Sequence, residues 1–181
     1  MQEETMINNI LKKGWSIFRQ SYVTLIISTI IAALMMLLVV TIPPMIFGLF
    51  YVAIQLAKGK SVRAKDVFKG FDHFLRSWGL TLLMLLAVGL GLVLLVIPGL
   101  LLLILYQFAF AISLLEDRKA YDSLKRSYEL VKKNFSFSLV FFVIMMVISA
   151  IGGLTRFGVF LTVPFTMVCS VLAAMELVKK K

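Results

Sequence analysis

The chain has 181 residues, of which 61% are hydrophobic and 15% are charged, and its formal net charge is +10. This composition excludes an ordinary soluble domain, in which about half of the residues are apolar and about a quarter are charged. The only cysteine, Cys169, excludes an intrachain disulfide and a paired-cysteine metal motif. The sequence therefore predicts one integral membrane domain over residues 1–181.

Long uncharged stretches predict six membrane-spanning helices. No Lys, Arg, Asp or Glu occurs in residues 22–57 or 77–115, and one crossing needs only about 20 residues. Each stretch also contains proline, which lacks the N–H that a helix interior requires, so each is predicted to be a hairpin of two helices. The predicted spans are 22–42, 44–57, 78–97, 99–115, 136–153 and 157–177. The predicted hairpin turns lie at Pro43, Pro98 and Pro164.

The stretch before each hairpin predicts an amphipathic helix. Between the second and third spans, apolar residues recur every three or four positions from Ala64 to Trp78, and charged residues occupy the opposite face. The N-terminal segment and the segment between the fourth and fifth spans share this pattern. Basic amphipathic helices are typical of membrane interfaces. All three are therefore predicted to lie on the cytoplasmic leaflet with their apolar sides towards lipid.

The basic residues predict the orientation of the chain. Of the 19 Lys and Arg residues, all except Arg156 precede the first span, lie in the two long connections or follow the last span. Short loops rich in Lys and Arg stay in the cytoplasm, so both termini are predicted to be cytoplasmic. The anionic leaflet attracts each nearby basic residue by about 1 kcal/mol. The residues predicted to contact lipid headgroups are Lys12, Lys13, Arg63, Lys65, Lys69, Arg76, Lys125, Arg126, Lys132 and Lys133.

Internal similarity predicts a threefold repeat. Lys13-Gly14-Trp15 and Lys69-Gly70-Phe71 are separated by 56 residues, and Ile42-Pro43 and Ile97-Pro98 by 55. A third unit keeps Lys133-Asn134-Phe135 and Val163-Pro164. The alternative is that membrane hairpins share prolines and interfacial aromatic residues without any repeat.

The predicted fold class is therefore an all-α polytopic membrane protein. Its three units cover residues of about 5–57, 61–116 and 118–178, and each consists of an amphipathic helix followed by a helical hairpin. Because all three units have the same orientation, the symmetry axis is expected to run along the membrane normal.

One part of the chain resembles a known family. The residues that carry the resemblance are Val96-Ile97-Pro98-Gly99, Tyr106, Leu115-Glu116-Asp117, Ala120, Ser123-Leu124-Lys125-Arg126-Ser127, Leu130 and Lys132. They are similar to the membrane domain attached to some glycerophosphodiester phosphodiesterases and to small prokaryotic proteins of the YciC type. The resemblance implies a polytopic module of a prokaryotic cell membrane without an assigned activity.

The same resemblance argues against hydrolase chemistry in this chain. In that family the hydrolase is a separate soluble barrel, whose carboxylates and histidines hold a metal ion. This chain has one histidine and scattered carboxylates. We therefore expect no enzymatic activity and no cofactor.

Uncharged polar side chains within the spans are candidates for a binding site. Gln55 and Gln107 are expected to point inward, because an amide that faces lipid leaves its hydrogen-bonding groups unsatisfied. They lie close in sequence to Tyr51 and Tyr106, so these four residues predict a polar pocket. The alternative is that the amides only make hydrogen bonds between helices.

Three functions from different classes fit these observations. The first is a non-enzymatic protein that binds, remodels or transfers lipid or another membrane-embedded amphiphile, with anionic phospholipids of the cytoplasmic leaflet as partners. The second is a small transporter or channel lined by Gln55, Gln107 and the tyrosines. The third is a structural partner or anchor for another membrane complex. Nucleic acid is not an expected partner, whereas a membrane protein partner and a homo-oligomer both fit the sequence.

Overall fold

The computed structural model describes residues 2–155 and 158–179, which form helices and their connections without a strand. The α-helices are α1 (Gln2–Met35), α2 (Ile42–Ala57), α3 (Phe74–Leu94), α4 (Val96–Tyr106), α5 (Ala109–Leu115), α6 (Ala120–Lys133), α7 (Phe135–Leu154) and α8 (Val159–Lys179). Two 3-10 helices cover Val39–Thr41 and Ala64–His73. Within the described ranges, six helices are long and apolar enough to cross a membrane. This confirms the all-helical class and the number of helices that could cross a membrane. Arg156, predicted on the outer side, lies outside the described residues.

The centre of the bundle is formed by α2, α5 and α8, which pack against one another in pairs. The ring of Phe110 on α5 lies 5.6 Å from the ring of Phe47 and 5.8 Å from that of Phe50, both on α2. Val168 and Leu172 on α8 are buried in the same core. Aromatic and aliphatic side chains therefore fill the space between the three helices.

The helices at the periphery expose large apolar side chains. On α3, Leu85 and Val93 are 66% and 84% exposed, and on α7 Ile151 and Leu154 are 61% and 86% exposed. Soluble monomers rarely expose contiguous apolar surfaces of this extent. The outer faces of α3 and α7 are therefore the faces suited to lipid.

The three amphipathic segments pack against the protein through their apolar sides. Ile7 and Ile10 at the start of α1 are buried, as are Val67 in the long 3-10 helix and Leu124 and Val131 in α6. The first segment packs on α8, the second on α2, and the third on α4 and α5. The prediction that these apolar sides face lipid is therefore wrong for these residues, because neighbouring helices of the same chain cover them.

Two glycines bring the long 3-10 helix into backbone contact with α2. A Cβ atom added at Gly70 would overlap the carbonyl oxygen of Pro44, and one added at Gly48 would overlap that of Val67. The segment forms a 3-10 helix where the sequence predicted an α-helix. A repeat of three residues per turn aligns Ala64, Val67 and Gly70 on one face. That alignment supports the close contact with α2.

The first hairpin differs from the prediction at its turn. Helix α1 bends at Ser21 (φ −127°, ψ 23°) and ends at Met35, so the predicted span 22–42 ends too late. Pro43 lies in the first turn of α2, as expected for a residue without an N–H. Because Pro44 also lacks an N–H, it cannot donate a helical hydrogen bond to the carbonyl of Val40. The indole Nε1 of Trp78 donates to that carbonyl at 3.1 Å.

The contact between Trp78 and Val40 also disagrees with the position across the membrane that was predicted for the turn of the first hairpin. The predicted topology separates the turn at Pro43 from the start of α3 by a membrane thickness, whereas the structure joins these regions by a hydrogen bond. The part of α1 after Ser21 is about 21 Å long, and α2 is about 24 Å long. Both are shorter than a hydrocarbon core of about 30 Å.

The two later hairpins match the predicted spans more closely. Helix α3 ends at Leu94, and Leu95 has an extended backbone (φ −158°, ψ 135°). Pro98 then lies in the first turn of α4, as predicted. Pro164, in contrast, lies inside α8 and forms no turn, so that prediction is wrong. The chain turns before Val159, where Gly152 allows the side chain of Thr162 to pack closely against α7.

Candidate functional site

The four residues predicted to form one polar pocket have separate surroundings. The hydroxyl of Tyr51 accepts a hydrogen bond from Lys69. Tyr106 lines a cavity between α3, α4 and α6. Gln107 faces α7 and α8. Gln55 is half-buried near the end of α2, and its side-chain amide makes no hydrogen bond with another described residue. The structure therefore does not bring the four side chains into one pocket.

Gln107 makes the interhelical hydrogen bond that the sequence offered as the alternative. Its Nε2 donates to the backbone carbonyl of Ser138 on α7 at 3.1 Å. Its side chain also lines a cavity of about 290 Å³ together with Ser149, Thr166 and Ser170. The amide thus links two helices and borders a small groove within the apolar part of the bundle.

Eight of the ten predicted headgroup cations lie on the surface. Those exposed residues are Lys12, Lys13, Arg63, Lys65, Lys69, Lys125, Lys132 and Lys133. The other two pair with carboxylates of the protein. Arg76 Nη1 lies 2.6 Å from Asp117 Oδ1, and Arg126 Nε lies 3.5 Å from Glu116 Oε1. Arg76 and Arg126 therefore tie the connection between α5 and α6 to its neighbours.

The charged connection between α5 and α6 has an unusual backbone conformation. Asp117 has a φ of 51°, in the left-handed region that Asp tolerates better than most residues. Arg76 donates a hydrogen bond to this carboxylate and lowers the pKa of Asp117 below its ordinary value. Glu116 also contacts Arg118. These ion pairs fix the start of α6.

Three lysines occupy matching grooves in the fold. Lys13, Lys69 and Lys125 are spaced by 56 residues, and each lies on an amphipathic segment. The first segment packs on α8 of the last hairpin, the second on α2 of the first hairpin, and the third on α3, α4 and α5 of the second hairpin. The position eight residues after the proline of that hairpin is Leu172, Tyr51 or Tyr106, respectively.

The groove at Lys69 is filled by side chains of the protein, although the lysine side chain itself is 50% exposed. The Nζ atom donates to the Tyr51 hydroxyl at 3.3 Å and lies 5.2 Å from the centre of the tyrosine ring. It also lies 3.8 Å from Asp66 Oδ1. This lysine thus has an aromatic ring, a hydroxyl and a carboxylate as partners.

The groove at Lys13 is open but contains a carboxylate. Lys13, Asn9, Leu172 and Glu176 line a cavity of about 440 Å³ between α1 and α8. Glu176 also lies 3.9 Å from Lys179. The cavity at Lys13 therefore has a carboxylate in its lining.

The groove at Lys125 is open and has an aromatic lining. Its volume is about 420 Å³, and Tyr106, Tyr121 and Tyr128 line it together with Lys125. Leu83 of α3 contributes an apolar wall. Lys125 makes no hydrogen bond or ion pair with another described residue. This groove therefore combines an unpaired cation, three phenol groups and an aliphatic surface.

Exposed aromatic rings lie beside the lysines on all three segments. Trp15 is 57% exposed, Phe68 is 41% exposed and Tyr121 is 69% exposed. The ammonium of Lys132 lies 5.7 Å from the centre of the Tyr128 ring. Aromatic and basic residues are enriched together where helices meet lipid headgroups. In the part of the chain that the structure describes, no group of three or more His, Cys, Asp or Glu side chains is arranged for a metal ion.

Sequence reasoning missed the match among these lysines. It aligned the third unit at Lys133, whereas Lys125 is the residue that lies in a groove beside Tyr106. The constant spacing of 56 residues was the available signal. Sequence spacing could not predict which groove is open and which is filled, because this depends on contacts between helices that are distant in the sequence.

Comparisons with known proteins give one family and no named relative. The comparison with curated proteins and the comparison with solved structures found no match. A family model described as a domain of unknown function, DUF7847, matches residues 7–180. The chain therefore belongs to the DUF7847 family.

Proposed function

We propose that this protein is a non-enzymatic membrane protein that binds anionic lipid, with its basic segments at the cytoplasmic surface of a prokaryotic cell membrane. One observation carries the proposal. Each amphipathic segment buries part of its apolar side in the protein, while its lysines and at least one aromatic ring stay exposed. The buried part cannot insert into lipid, so the exposed rings and lysines are the groups that meet the membrane surface. These exposed groups are those that contact headgroups.

The arrangement of helices supports a threefold repeat as part of the proposal. The second helices of the three hairpins form the core, and each amphipathic segment packs on one of them. The junctions at Ser21, His73 and Asn134 also share one backbone conformation, with φ between −127° and −114° and ψ between 23° and 46°. A repeated unit would place its lysine at an equivalent position three times. Binding, remodelling and transfer of lipid all begin with such headgroup contacts.

The two alternative functions have weaker support. A channel would need Gln55, Gln107 and the tyrosines on one lining, and these residues face different surroundings. An anchor for another complex would use the exposed faces of α3 and α7, which suit lipid equally well. The proposed kinship with the membrane domains of glycerophosphodiester phosphodiesterases agrees with a membrane module that has no hydrolase site.

The test is the lipid composition around the reconstituted protein. The protein is placed in nanodiscs of phosphatidylcholine and phosphatidylglycerol with identical acyl chains, and the lipids retained after gentle extraction are counted by native mass spectrometry. We expect phosphatidylglycerol to be enriched over its share of the bilayer. The enrichment should fall in high salt, because exposed charges are screened.

Two results would contradict the proposal. Retention of the two lipids in proportion to their abundance would remove the preference for anionic lipid. Reporter tags that place residue 65 and residue 125 on opposite sides of the membrane would remove the shared basic surface. Transfer between leaflets is measured separately in sealed liposomes that contain a fluorescent phosphatidylglycerol, with reductant added only to the outer solution.

A further inference from the structure

The cavity at Lys125 has the chemistry of a site for one lipid molecule. It lies between α3, α4 and α6, and its volume is about 420 Å³. Leu83 and Ala87 of α3 and Leu124 of α6 supply apolar side chains to its lining. Tyr106, Tyr121 and Tyr128 supply phenol groups, and Lys125 supplies a positive charge. The lining thus combines aliphatic, aromatic and cationic groups in one cavity, and a phospholipid likewise combines acyl chains, a glycerol region and a phosphate.

The described lining of the Lys125 cavity contains no carboxylate, unlike the surroundings of the two equivalent lysines. Lys69 is engaged by Tyr51 and Asp66, and the cavity at Lys13 holds Glu176. The carboxylates nearest to Lys125 on α6 are Asp122 and Glu129, and neither forms an ion pair with it among the described residues. Glu129 lies 3.8 Å from Arg126.

The surface beside the cavity can take the acyl chains. Along α3, Leu83, Leu86 and Leu90 form one face, because residues three and four positions apart are neighbours on a helix. Leu86 and Leu90 are 59% and 60% exposed. This apolar stripe begins at the cavity wall and runs away from Lys125. A soluble phosphate ester would leave the stripe uncovered.

We propose that this cavity binds one anionic phospholipid, with its phosphate at Lys125, its glycerol region among the three tyrosines and an acyl chain along α3. The inference rests on the proposed function and names its principal site. The phenol hydroxyls are donors to phosphate and ester oxygens.

Matched lysine variants test the site. Lys125→Gln, Lys69→Gln and Lys13→Gln each remove one positive charge from equivalent positions. Native mass spectrometry in phosphatidylglycerol-containing nanodiscs measures the lipid that stays bound. We expect Lys125→Gln to lower retention of one phosphatidylglycerol by about tenfold. Lys69→Gln and Lys13→Gln should change retention by less than about twofold, and Lys125→Arg should retain it.

A second variant tests the shape of the cavity without changing its charge. Ala87→Trp fills the apolar end, and we expect it to displace the lipid to the same extent as Lys125→Gln. The helix content of each variant is checked by circular dichroism in the same nanodiscs. Competition with glycerol 3-phosphate distinguishes a lipid from a soluble anion, because the soluble ester lacks acyl chains and should not displace the lipid at millimolar concentration.

The outcomes separate the site from the general function. Equal losses for all three glutamine variants would overturn the site and leave the preference for anionic lipid intact. Full retention in both Lys125→Gln and Ala87→Trp would also overturn the site. Displacement by glycerol 3-phosphate would replace it with a site for soluble anions. A wild-type protein without any preference for phosphatidylglycerol would overturn the proposed function and the site together.

Discussion

The grooves at Lys69 and Lys125 are the two regions of the molecule whose comparison is most informative. Both lie between an amphipathic segment and the second helix of a hairpin, and both pair a lysine with a tyrosine eight residues after a proline. In the first groove the backbones touch at Gly48 and Gly70, and Lys69 is bound by the protein. In the second, Ser127 of α6 donates a hydrogen bond to the carbonyl of Leu105 on α4, and a cavity remains beside this contact. The same local plan therefore gives close backbone packing in one place and leaves a cavity in the other, where we propose that lipid binds.

The largest expected effect comes from forcing the closed groove apart. Gly70→Ala places a methyl group on the carbonyl oxygen of Pro44, where neither backbone can move freely. We expect a loss of about 3 kcal/mol in the free energy of unfolding, measured by titration with denaturing detergent in mixed micelles. Gly89→Ala on α3 is the control, because no atom lies within 4 Å of its added Cβ. Equal stability of the two variants would show that the backbones do not touch.

A smaller effect is expected from the hydrogen bond that fixes the first turn. Trp78→Phe removes the indole N–H and leaves the carbonyl of Val40 without its donor. The expected loss is about 1 kcal/mol in the same titration. Trp15→Phe is the matched control, since Trp15 is exposed and its ring contacts with Phe18 and Phe165 can be kept by phenylalanine. A larger loss in Trp15→Phe than in Trp78→Phe would contradict this account of the turn.

The two tyrosines should separate stability from binding. Tyr51→Phe removes the acceptor for Lys69, and we expect it to lower the free energy of unfolding by about 0.5 kcal/mol while lipid retention stays unchanged. Tyr106→Phe should leave stability unchanged and weaken lipid retention by about twofold. Titration with denaturing detergent measures the stability of each variant, and native mass spectrometry measures its lipid retention. If both variants changed the same property, the contrast between the grooves would be lost.

The smallest effect concerns pH and the start of α6, which carries Lys125. Arg76 lowers the pKa of Asp117 in the folded protein, so the folded state favours the ionised carboxylate. The resulting stabilisation is present at neutral pH and is lost as the pH falls from about 4 through the lower folded pKa. Comparing the unfolding midpoints of the wild type and Asp117→Asn across this range measures it. A difference that stays constant with pH would contradict the contribution of Asp117.

Much of the helix pattern could be predicted from the sequence. Charge-free stretches identify the membrane-crossing candidates, and Pro98 marks the break between α3 and α4 because only an early helix position tolerates its missing N–H. Pro164 misled the prediction, since α8 continues through it while glycines before it allow the turn. The end of α1 depends on Thr41 and on Trp78, and Trp78 lies 38 residues further along the chain than Val40. Local patterns carry no information about such partners.

The candidate site could be predicted only in part. The basic and aromatic residues were identified, but their apolar neighbours were assigned to lipid because a sequence does not show which helix covers Val67 or Val131. Arg76 and Arg126 were counted with the surface cations, although distant carboxylates pair with them. Tyr51 and Tyr106 were grouped because the predicted repeat aligns them in sequence. In space, however, the two equivalent positions belong to different grooves.

The most direct test is solid-state NMR of the protein in phosphatidylglycerol bilayers, with ¹⁵N-labelled lysine and natural ³¹P in the lipid. The Nζ signals of Lys125 and Lys69 are assigned by their loss in the glutamine variants. The account predicts strong dipolar dephasing of the Lys125 signal by phosphorus and weak dephasing of the Lys69 signal. Equal dephasing of the two signals, or none at Lys125, would contradict it.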